Sequence, residues 1–299
     1  MRTVSRPPSH SKILWRRPPA WMNLEVGESE RMGPTSGAAR NKHEDCAPSH
    51  KEWIVGHSFL CYATTMLSFD LSSSWRDLPL AVVDVETTGL DSATCRIIEV
   101  GIVRFEKGQV AERWGHLIQP GCPIPEKVTE ITGIKDEMLE GQPTFRDLKW
   151  EIYGRLRDRI VVAYNAEFDM GFLQQEMTRA GIGLPDLPVL DPLVWARQLM
   201  PTERSHRLGR VADKLGVDLS QAHRAEHDAE ATGKILLRFA DKVPMELGQL
   251  LSDQASWKET QDKAFAQRRA ARQAKASPQE LAPPSPESAL EQQQAGLFA

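Results

Sequence analysis

The pattern of apolar positions predicts three consecutive β-strands in the region that begins near residue 78. Residues 78–83 are aliphatic and end in two valines, which is typical of a strand buried on both faces. Residues 96–105 and 111–118 are two further apolar segments, and the Lys-Gly-Gln sequence at 107–109 favours a turn between them. Together these segments predict an antiparallel meander.

Two more strands and several helices are predicted downstream. Residues 160–163 are all apolar, and residues 189–190 form a second short apolar run. Residues 126–156 have apolar positions at helical spacing, and further helical patterns follow each of the two short strands. Strands that alternate with helices favour parallel pairing. The sequence therefore predicts an α/β domain with a mixed sheet, in which parallel strands join the meander and helices flank it.

Composition divides the chain into three parts. Residues 1–76 lack sustained periodicity and are rich in Pro, Ser, Arg and His, so we expect a disordered or loosely structured extension. Its basic first twenty residues resemble a transit peptide, although four prolines oppose an amphipathic helix; a later start at Met66 is the alternative. Residues 77–242 form the predicted folded domain. Residues 243–299 read as a mostly disordered tail, with a helix in the charged stretch 257–275.

Charge and cysteine content narrow the function classes. The net charge of −4 provides no broad basic surface, so contact with nucleic acid would need a local patch or metal-screened phosphates. Cys46, Cys61, Cys95 and Cys122 are scattered, which argues against a zinc site and against a disulfide framework. No apolar run reaches the length of a membrane span. We expect a protein of a reducing, cytoplasmic compartment with no membrane association.

The first predicted strand carries two carboxylates into a turn. Asp84 and Glu86 are two residues apart, so on a strand their side chains point to one face. Two like charges held together need a cation. Taken alone, the pair also fits a strand that ends in a polar turn closed by Gly89.

Further acids and a histidine follow the later strands. Asp169 lies in the first turn of a predicted helix, for which Asn165 is the expected cap, and Asp228 opens another helix. His223 precedes Asp228 by five residues, about 500° of helical rotation, so both can serve one site only if His223 lies on a loop before the helix. Each residue alone is equally compatible with a surface or helix-terminal position.

Taken in order, these residues resemble the three motifs of the DEDDh 3′→5′ exonuclease family. The motifs are Asp84-x-Glu86-Thr87-Thr88-Gly89, Asn165-Ala166-x-Phe168-Asp169-x-x-Phe172-Leu173 and His223-x4-Asp228. The resemblance covers residues 78–241 and, within the family, is greatest to the epsilon proofreading subunits of bacterial DNA polymerase III. It implies a ribonuclease H-like mixed sheet.

The resemblance also implies a metal-dependent 3′→5′ exonuclease that releases nucleoside 5′-monophosphates from single-stranded DNA ends, in proofreading or repair. Mg²⁺ and Mn²⁺ prefer oxygen ligands, so the four acids suit a site for two such ions, with His223 as general base. His227 is a weaker candidate for the base, because its position next to Asp228 turns it away along the helix. The residues expected to bind the terminal nucleotide are Thr87, Thr88, Leu90, Asn165 and Phe168.

The last residues suggest a partner. Gln294, Leu297 and Phe298 resemble the short peptide with which bacterial replication proteins bind the sliding clamp, so a clamp and a replicative polymerase subunit are the expected partners. A tail end without function is the alternative. Two other functions stay open from the sequence: an RNA-trimming exonuclease of the same fold, and a non-catalytic scaffold that tethers a polymerase or clamp.

Overall fold

The computed structural model describes residues 69–220 and 222–275, which lie in one compact unit of the chain. The predictions for residues 1–68 and 276–299, including the transit peptide and the clamp-binding tail, fall outside the described residues.

A five-stranded mixed sheet forms the centre of this unit. Its strands are β1 (Leu80–Thr87), β2 (Ile97–Glu106), β3 (Gln109–Leu117), β4 (Ile160–Val162) and β5 (Val189–Leu190), in the spatial order β3-β2-β1-β4-β5. Strands β1, β2 and β3 pair antiparallel, whereas β4 is parallel to β1 and β5 is parallel to β4. The predicted meander with added parallel strands is confirmed.

Eight α-helices flank the sheet in the described part of the chain. They are α1 (Glu126–Thr132), α2 (Asp136–Leu139), α3 (Phe145–Leu156), α4 (Ala166–Arg179), α5 (Pro192–Leu199), α6 (Leu208–Leu215), α7 (Ala225–Phe239) and α8 (Leu247–Lys275). None of these helices is long and apolar enough to cross a membrane.

Alternate residues of β1 supply two separate hydrophobic cores. Val82 is fully buried in one core, together with Ile235 and Leu236 of α7. Val83 is fully buried in the other core, where α3 and α4 cover the opposite face of the sheet. Because side chains on a strand alternate between faces, β1 must be apolar at nearly every position, as the sequence predicts.

The packed region extends beyond the predicted limits of 77 and 242. Trp75 is fully buried, its indole nitrogen donates to the carbonyl of Pro244, and its ring lies 5.7 Å from that of Trp195. Helix α8 begins at Leu247, ten residues before the predicted charged stretch, and Leu247 and Leu250 are fully buried. The apolar residues at both ends of the folded region therefore complete its core.

The close approach of α7 to β2 depends on a glycine. A Cβ atom on Gly101 would lie 2.1 Å from the backbone carbon of Ala225 and 2.2 Å from the backbone nitrogen of Glu226. Gly101 is the pairing partner of Asp84 in β1. The first turn of α7 can therefore lie directly against the sheet beside Asp84 only because position 101 has no side chain.

We predict that Gly101→Ala lowers the free energy of unfolding by about 3 kcal/mol, because the clash is with backbone atoms that cannot move away alone. Chemical denaturation of the purified variant measures the change. Gly154→Ala is the matched control, since a Cβ there meets no atom within 4 Å and the position lies inside α3; it should leave stability unchanged or raise it by up to about 1 kcal/mol. A Gly101→Ala protein as stable as the parent would contradict this account of the contact.

Candidate active site

Four carboxylates and one histidine, separated along the chain, line a single cavity of about 560 Å³. They are Asp84, Glu86, Asp169, His223 and Asp228. Strand β1, helix α4 and the entry to α7 each contribute to this group. The convergence expected from the three motifs is present in the fold.

Strand β1 directs its two acids toward α7. Leu80 and Val82 belong to the core beneath α7, and Asp84 and Glu86 continue the same alternation along the strand. The pairing register of β1 with β2 shifts between Glu86 and Thr87. The strand therefore changes from apolar to acidic on one face just before its regular pairing ends.

Helix α4 brings Asp169 against the backbone between these two acids. Asp169 lies in the first turn of α4, is almost fully buried, and accepts a hydrogen bond of 3.0 Å from the backbone nitrogen of Val85. The helix dipole favours a negative charge at this end of the helix. This bond fixes Asp169 to the segment that carries Asp84 and Glu86.

The prediction that the Asn165 side chain caps α4 is wrong. Asn165 occupies the N-cap position in a left-handed conformation, with φ of 70°, and its side chain makes no capping hydrogen bond. The carboxylate of Asp191 accepts instead from the backbone nitrogens of Asn165 and Ala166, each at 3.0 Å, and also from that of Leu193. A residue 25 positions away thus caps α4, and the Asn165 side chain stays available to the cavity that it lines.

His223 lies on a loop immediately before α7, as the sequence predicts. Its φ of 65° is in the left-handed region, which few non-glycine residues adopt. Its backbone nitrogen donates to Oδ2 of Asp228 at 2.9 Å. Arg224 donates through Nη1 to the carbonyl of His223 at 3.0 Å and to that of Thr132 at 2.9 Å, so it ties the loop to the end of α1. These bonds hold the loop in its strained conformation.

Glu99 is a fifth acid that the sequence did not place in the site. It lies opposite Glu86 in the pairing of β1 with β2, and it is 8% exposed. Its Oε2 accepts from the backbone nitrogen of Ala225 at 3.4 Å, at the start of α7. A single carboxylate among the apolar residues of β2 was the available signal, but only the pairing register shows that Glu99 lies beside Glu86.

Burial raises the pKa of every acid in this group, and repulsion from neighbouring acids adds to it. Burial is the largest cause at each, and it brings the pKa of Glu86 to about 8 and that of Asp228 to about 6. The pKa values of Asp84 and Asp169 are raised well above their usual range, again by burial first; for Asp84 the charge of Asp169 is the next cause. Arg224 lowers the pKa of Glu86, but only partly offsets these effects. Positive charge added near these acids would therefore stabilise their ionised forms.

The donor atoms fit divalent cations. Ligand atoms of Glu86, His223 and Asp228 lie within 4.8 Å of one another, a spacing that one metal ion can span. Oδ1 of Asp228 is buried and has no hydrogen-bond partner, so it has an unmet requirement for a positive or donor group. Carboxylate oxygens are the ligands that Mg²⁺ and Mn²⁺ prefer.

One part of the cavity wall is apolar. Leu90 and Phe168, which the sequence proposes as contacts for a terminal nucleotide, lie there together with Val128, Ile131, Leu208 and Leu219, and the lining also includes the cationic residues Arg207 and Arg210. Thr87 also lines the cavity, although its hydroxyl donates to the carbonyl of Gly89. Planar apolar groups such as nucleobases fit surfaces of this kind.

Two predicted residues have other positions. Thr88 is buried, does not line the cavity, and accepts a hydrogen bond through its hydroxyl from the backbone nitrogen of Arg96. His227 also lies outside the lining, as the sequence suggests, and its Nδ1 is buried without a hydrogen-bond partner. Gln294, Leu297 and Phe298 are outside the described residues.

Curated relatives match the folded part of the chain. The chain is 40% identical over 163 residues to a PolC-type DNA polymerase III of Halalkalibacterium halodurans, a match that covers 54% of this chain and 11% of that protein. It is 36% identical over 163 residues to the 3′-5′ exonuclease DinG of Bacillus subtilis, covering 54% of this chain and 18% of that protein. The chain thus spans less than a fifth of the length of these relatives.

Solved structures share the fold. E. coli exonuclease I in complex with a dT13 oligonucleotide superposes with a TM-score of 0.50 at 19% identity, over 55% of this chain and 41% of that chain. A zinc-bound form of the same exonuclease with single-stranded DNA gives 0.50 at 19% identity, over 56% and 41%. These likenesses support the predicted ribonuclease H-like architecture.

The family resemblance inferred from three short motifs extends over the whole domain that contains them. The sequence model of the family described as exonuclease matches residues 81–236, from the second residue of β1 into the second half of α7, and so includes every acid of the cavity. By that match across half of its length, this chain belongs to the exonuclease family.

Proposed function

We propose that this protein is a metal-dependent 3′→5′ exonuclease that removes nucleoside 5′-monophosphates from single-stranded DNA ends. The observation that carries the proposal is the convergence of Asp84, Glu86, Asp169, His223 and Asp228 on one cavity. Membership of the exonuclease family supplies the reaction class. The direction of degradation and the substrate follow from the similarity of the motifs and from the relatives named above.

The four acids are the proposed ligands of two divalent cations, Mg²⁺ or Mn²⁺. Bound in this position, such ions would stabilise negative charge on the attacking and leaving oxygens and favour ionisation of water. The protein contributes the rigid placement of the acids, because β1, α4 and α7 are each packed against the core. The unpartnered oxygen of Asp228 supports its assignment as a ligand.

His223 is the proposed general base. A neutral imidazole can accept a proton, and a ring nitrogen of His223 would take it from the attacking water. The backbone of His223 is bonded to Asp228 and Arg224, so its imidazole is carried by a loop beside the acids. We propose that Arg224 positions this loop.

The apolar part of the cavity would hold the terminal nucleotide. Leu90 and Phe168 provide surfaces against a base or sugar, and the acids lie in the same cavity, where the last phosphodiester bond would be placed. Asn165 supplies an amide that can bond to the nucleotide. Thr87 and Thr88 support the turn that follows β1 and remain proposed contacts.

DNA is the favoured substrate because the named relatives include a DNA polymerase. We place the activity in cytoplasmic DNA replication or repair. A polymerase subunit and the sliding clamp are the proposed partners, the latter through Gln294, Leu297 and Phe298. RNA trimming remains the competing activity, since the lining residues include no recognised discriminator of a 2′-hydroxyl.

A labelled single-stranded DNA oligonucleotide and its RNA counterpart test this function. We predict stepwise shortening from the 3′ end of the DNA with Mg²⁺ or Mn²⁺, and none with EDTA. Asp84→Ala should abolish cleavage, and His223→Ala should slow it by roughly a hundredfold or more, as expected for loss of a general base. Turnover that persists in EDTA would refute the mechanism. Preferential shortening of the RNA oligonucleotide would show that RNA, rather than DNA, is the substrate.

Two variants serve as controls for this assay. Asp186→Ala removes an exposed carboxylate from the loop before β5, and His116→Ala removes an imidazole from β3, the outer strand of the sheet. Both should cleave at the parental rate. Equal losses in these variants would mean that the assay reports stability rather than the chemistry of the site.

For the clamp, we predict that deletion of residues 294–299 abolishes capture of the purified bacterial sliding clamp by the immobilised protein, because the two apolar side chains at the tail would occupy a pocket on the partner. Exonuclease activity on a short oligonucleotide should be unchanged. Undiminished capture by the truncated protein would show that residues 294–299 are not the docking peptide.

A further inference from the structure

The far part of helix α8 carries a basic surface that the proposed chemistry does not use. We define the distal α8 surface as Arg268, Arg269 and Arg272, all three of which are exposed. Residues at i, i+1 and i+4 of an α-helix lie within about 100° of arc, so the three guanidinium groups share one side of the helix. Residues 264–273 contain no acid.

Helix α8 passes the edge of the sheet where the candidate active site lies. Nζ of Lys258 is 3.1 Å from Oε2 of Glu167, which is in the first turn of α4 beside the cavity-lining Phe168. Further along, Gln261 donates to the carbonyl of Val194 at 3.0 Å. This part of α8 therefore lies against α5 and contacts the first turn of α4, one residue from the cavity-lining Phe168.

The same helix then continues outward alongside α5. Gln261 of α8 contacts Val194 of α5, and about one turn further along both helices Phe265 contacts Arg197. The guanidinium group of Arg197 lies 4.8 Å from the centre of the phenyl ring. With a rise of about 1.5 Å per residue, the distal α8 surface lies about 15 to 21 Å beyond Lys258 along the helix axis. The distal α8 surface is therefore held at a fixed distance from Lys258 by the helix.

The cations in the proximal half of α8 are paired with acids, whereas the described cations in the distal half are not. Lys258 pairs with Asp262 at 2.7 Å, and Lys263 pairs with Glu259 at 2.6 Å, so the proximal cations are matched by acids one turn away. The distal α8 surface has no acid with which to form such pairs within its own stretch, and among the described residues no ion pair holds its guanidinium groups. Three unmatched like charges within five residues weaken a helix; the alanine-rich sequence around them compensates through helix propensity.

We propose that the distal α8 surface binds the phosphate backbone of the single-stranded substrate, several nucleotides upstream of the 3′ end that enters the cavity. The inference rests on the proposed exonuclease function, and charge complementarity identifies the occupant. Guanidinium groups bind phosphates through paired donors and stay charged at all working pH values. The surface supplies the local basic patch that a chain with a net charge of −4 needs for such a partner.

The test is equilibrium binding of a fluorescent 20-nucleotide oligo(dT) to the full chain in EDTA, across a range of salt concentrations. EDTA prevents cleavage, so binding is measured whether or not the protein is a nuclease. In the variant R268Q/R269Q/R272Q, binding should weaken and the slope of log affinity against log salt should fall by about 2, at about 0.7 for each lost phosphate contact. An oligo(dT) of three nucleotides is too short to reach the surface, and its cleavage in Mg²⁺ should keep its parental kcat and KM.

A matched control removes three exposed cations at the other end of the domain. Lys107 lies in the β2–β3 turn, and Arg238 and Lys242 lie at and beyond the carboxyl end of α7, 10 and 14 residues after Asp228. K107Q/R238Q/K242Q changes the net charge by the same amount and should bind the 20-nucleotide strand with the parental slope. Circular dichroism of both variants verifies that α8 remains helical.

Three outcomes overturn the proposal. An unchanged slope in R268Q/R269Q/R272Q, an equal fall in the control variant, or an equal loss of trinucleotide cleavage would each show that the distal α8 surface is not a separate contact for the strand. Failure of the proposed exonuclease function would give another result. Binding would still depend on the distal α8 surface, but neither oligonucleotide would be cleaved.

Discussion

The burial of several carboxylates in one cavity, with the repulsion that adds to its cost, is the constraint on which the rest of this structure depends. Asp84, Glu86, Asp169 and Asp228 line one cavity, Glu99 lies beside Glu86 in the sheet, and Arg224 offsets part of the effect on Glu86. Such a group costs stability in the folded protein unless positive charge is added. The raised pKa values of these acids are the physical expression of that cost, and they explain why the fold is suited to hold divalent cations.

The scaffold keeps these groups together through contacts with little freedom. The alternation of β1 commits Asp84 and Glu86 to the side of α7, and the missing side chain at Gly101 allows α7 to approach. Asp191 caps α4 and so sets the direction in which Asp169 enters the cavity. Each acid therefore comes from an element whose position is fixed by the core, which is what a preorganised site requires.

The sequence was sufficient where local patterns decide the structure. The apolar strands, the meander and the loop position of His223 follow from residue spacing, and the three motifs indicate the family whose sequence model matches residues 81–236. These features depend on alternation and helical periodicity, which are properties of neighbouring residues.

The sequence was not sufficient where distant residues decide. Asn165 was assigned the capping role because it occupies the right position, but a carboxylate 25 residues away makes the bonds. Glu99 became part of the site only through its register with Glu86. The start of α8 was placed too late because Leu247 and Leu250 are buried by residues far away in the sequence, including Trp75. Pairing register and long-range packing carry no local signal.

The pH dependence of thermal unfolding, with and without a divalent cation, tests the central claim most directly. A carboxyl with a raised pKa keeps its proton in the folded state at pH values where the unfolded chain has released it. Its contribution to stability is therefore full below the ordinary pKa near 4.5 and falls as the pH rises toward the pKa of the folded state. That folded-state pKa is about 8 for Glu86 and about 6 for Asp228. In EDTA the melting temperature should therefore fall between pH 5 and pH 8, and Glu86→Gln should reduce the fall. At pH 8, Mg²⁺ or Mn²⁺ should raise the melting temperature of the parent but not of Asp84→Ala. A melting temperature that is independent of pH in EDTA and unmoved by either ion would contradict the account.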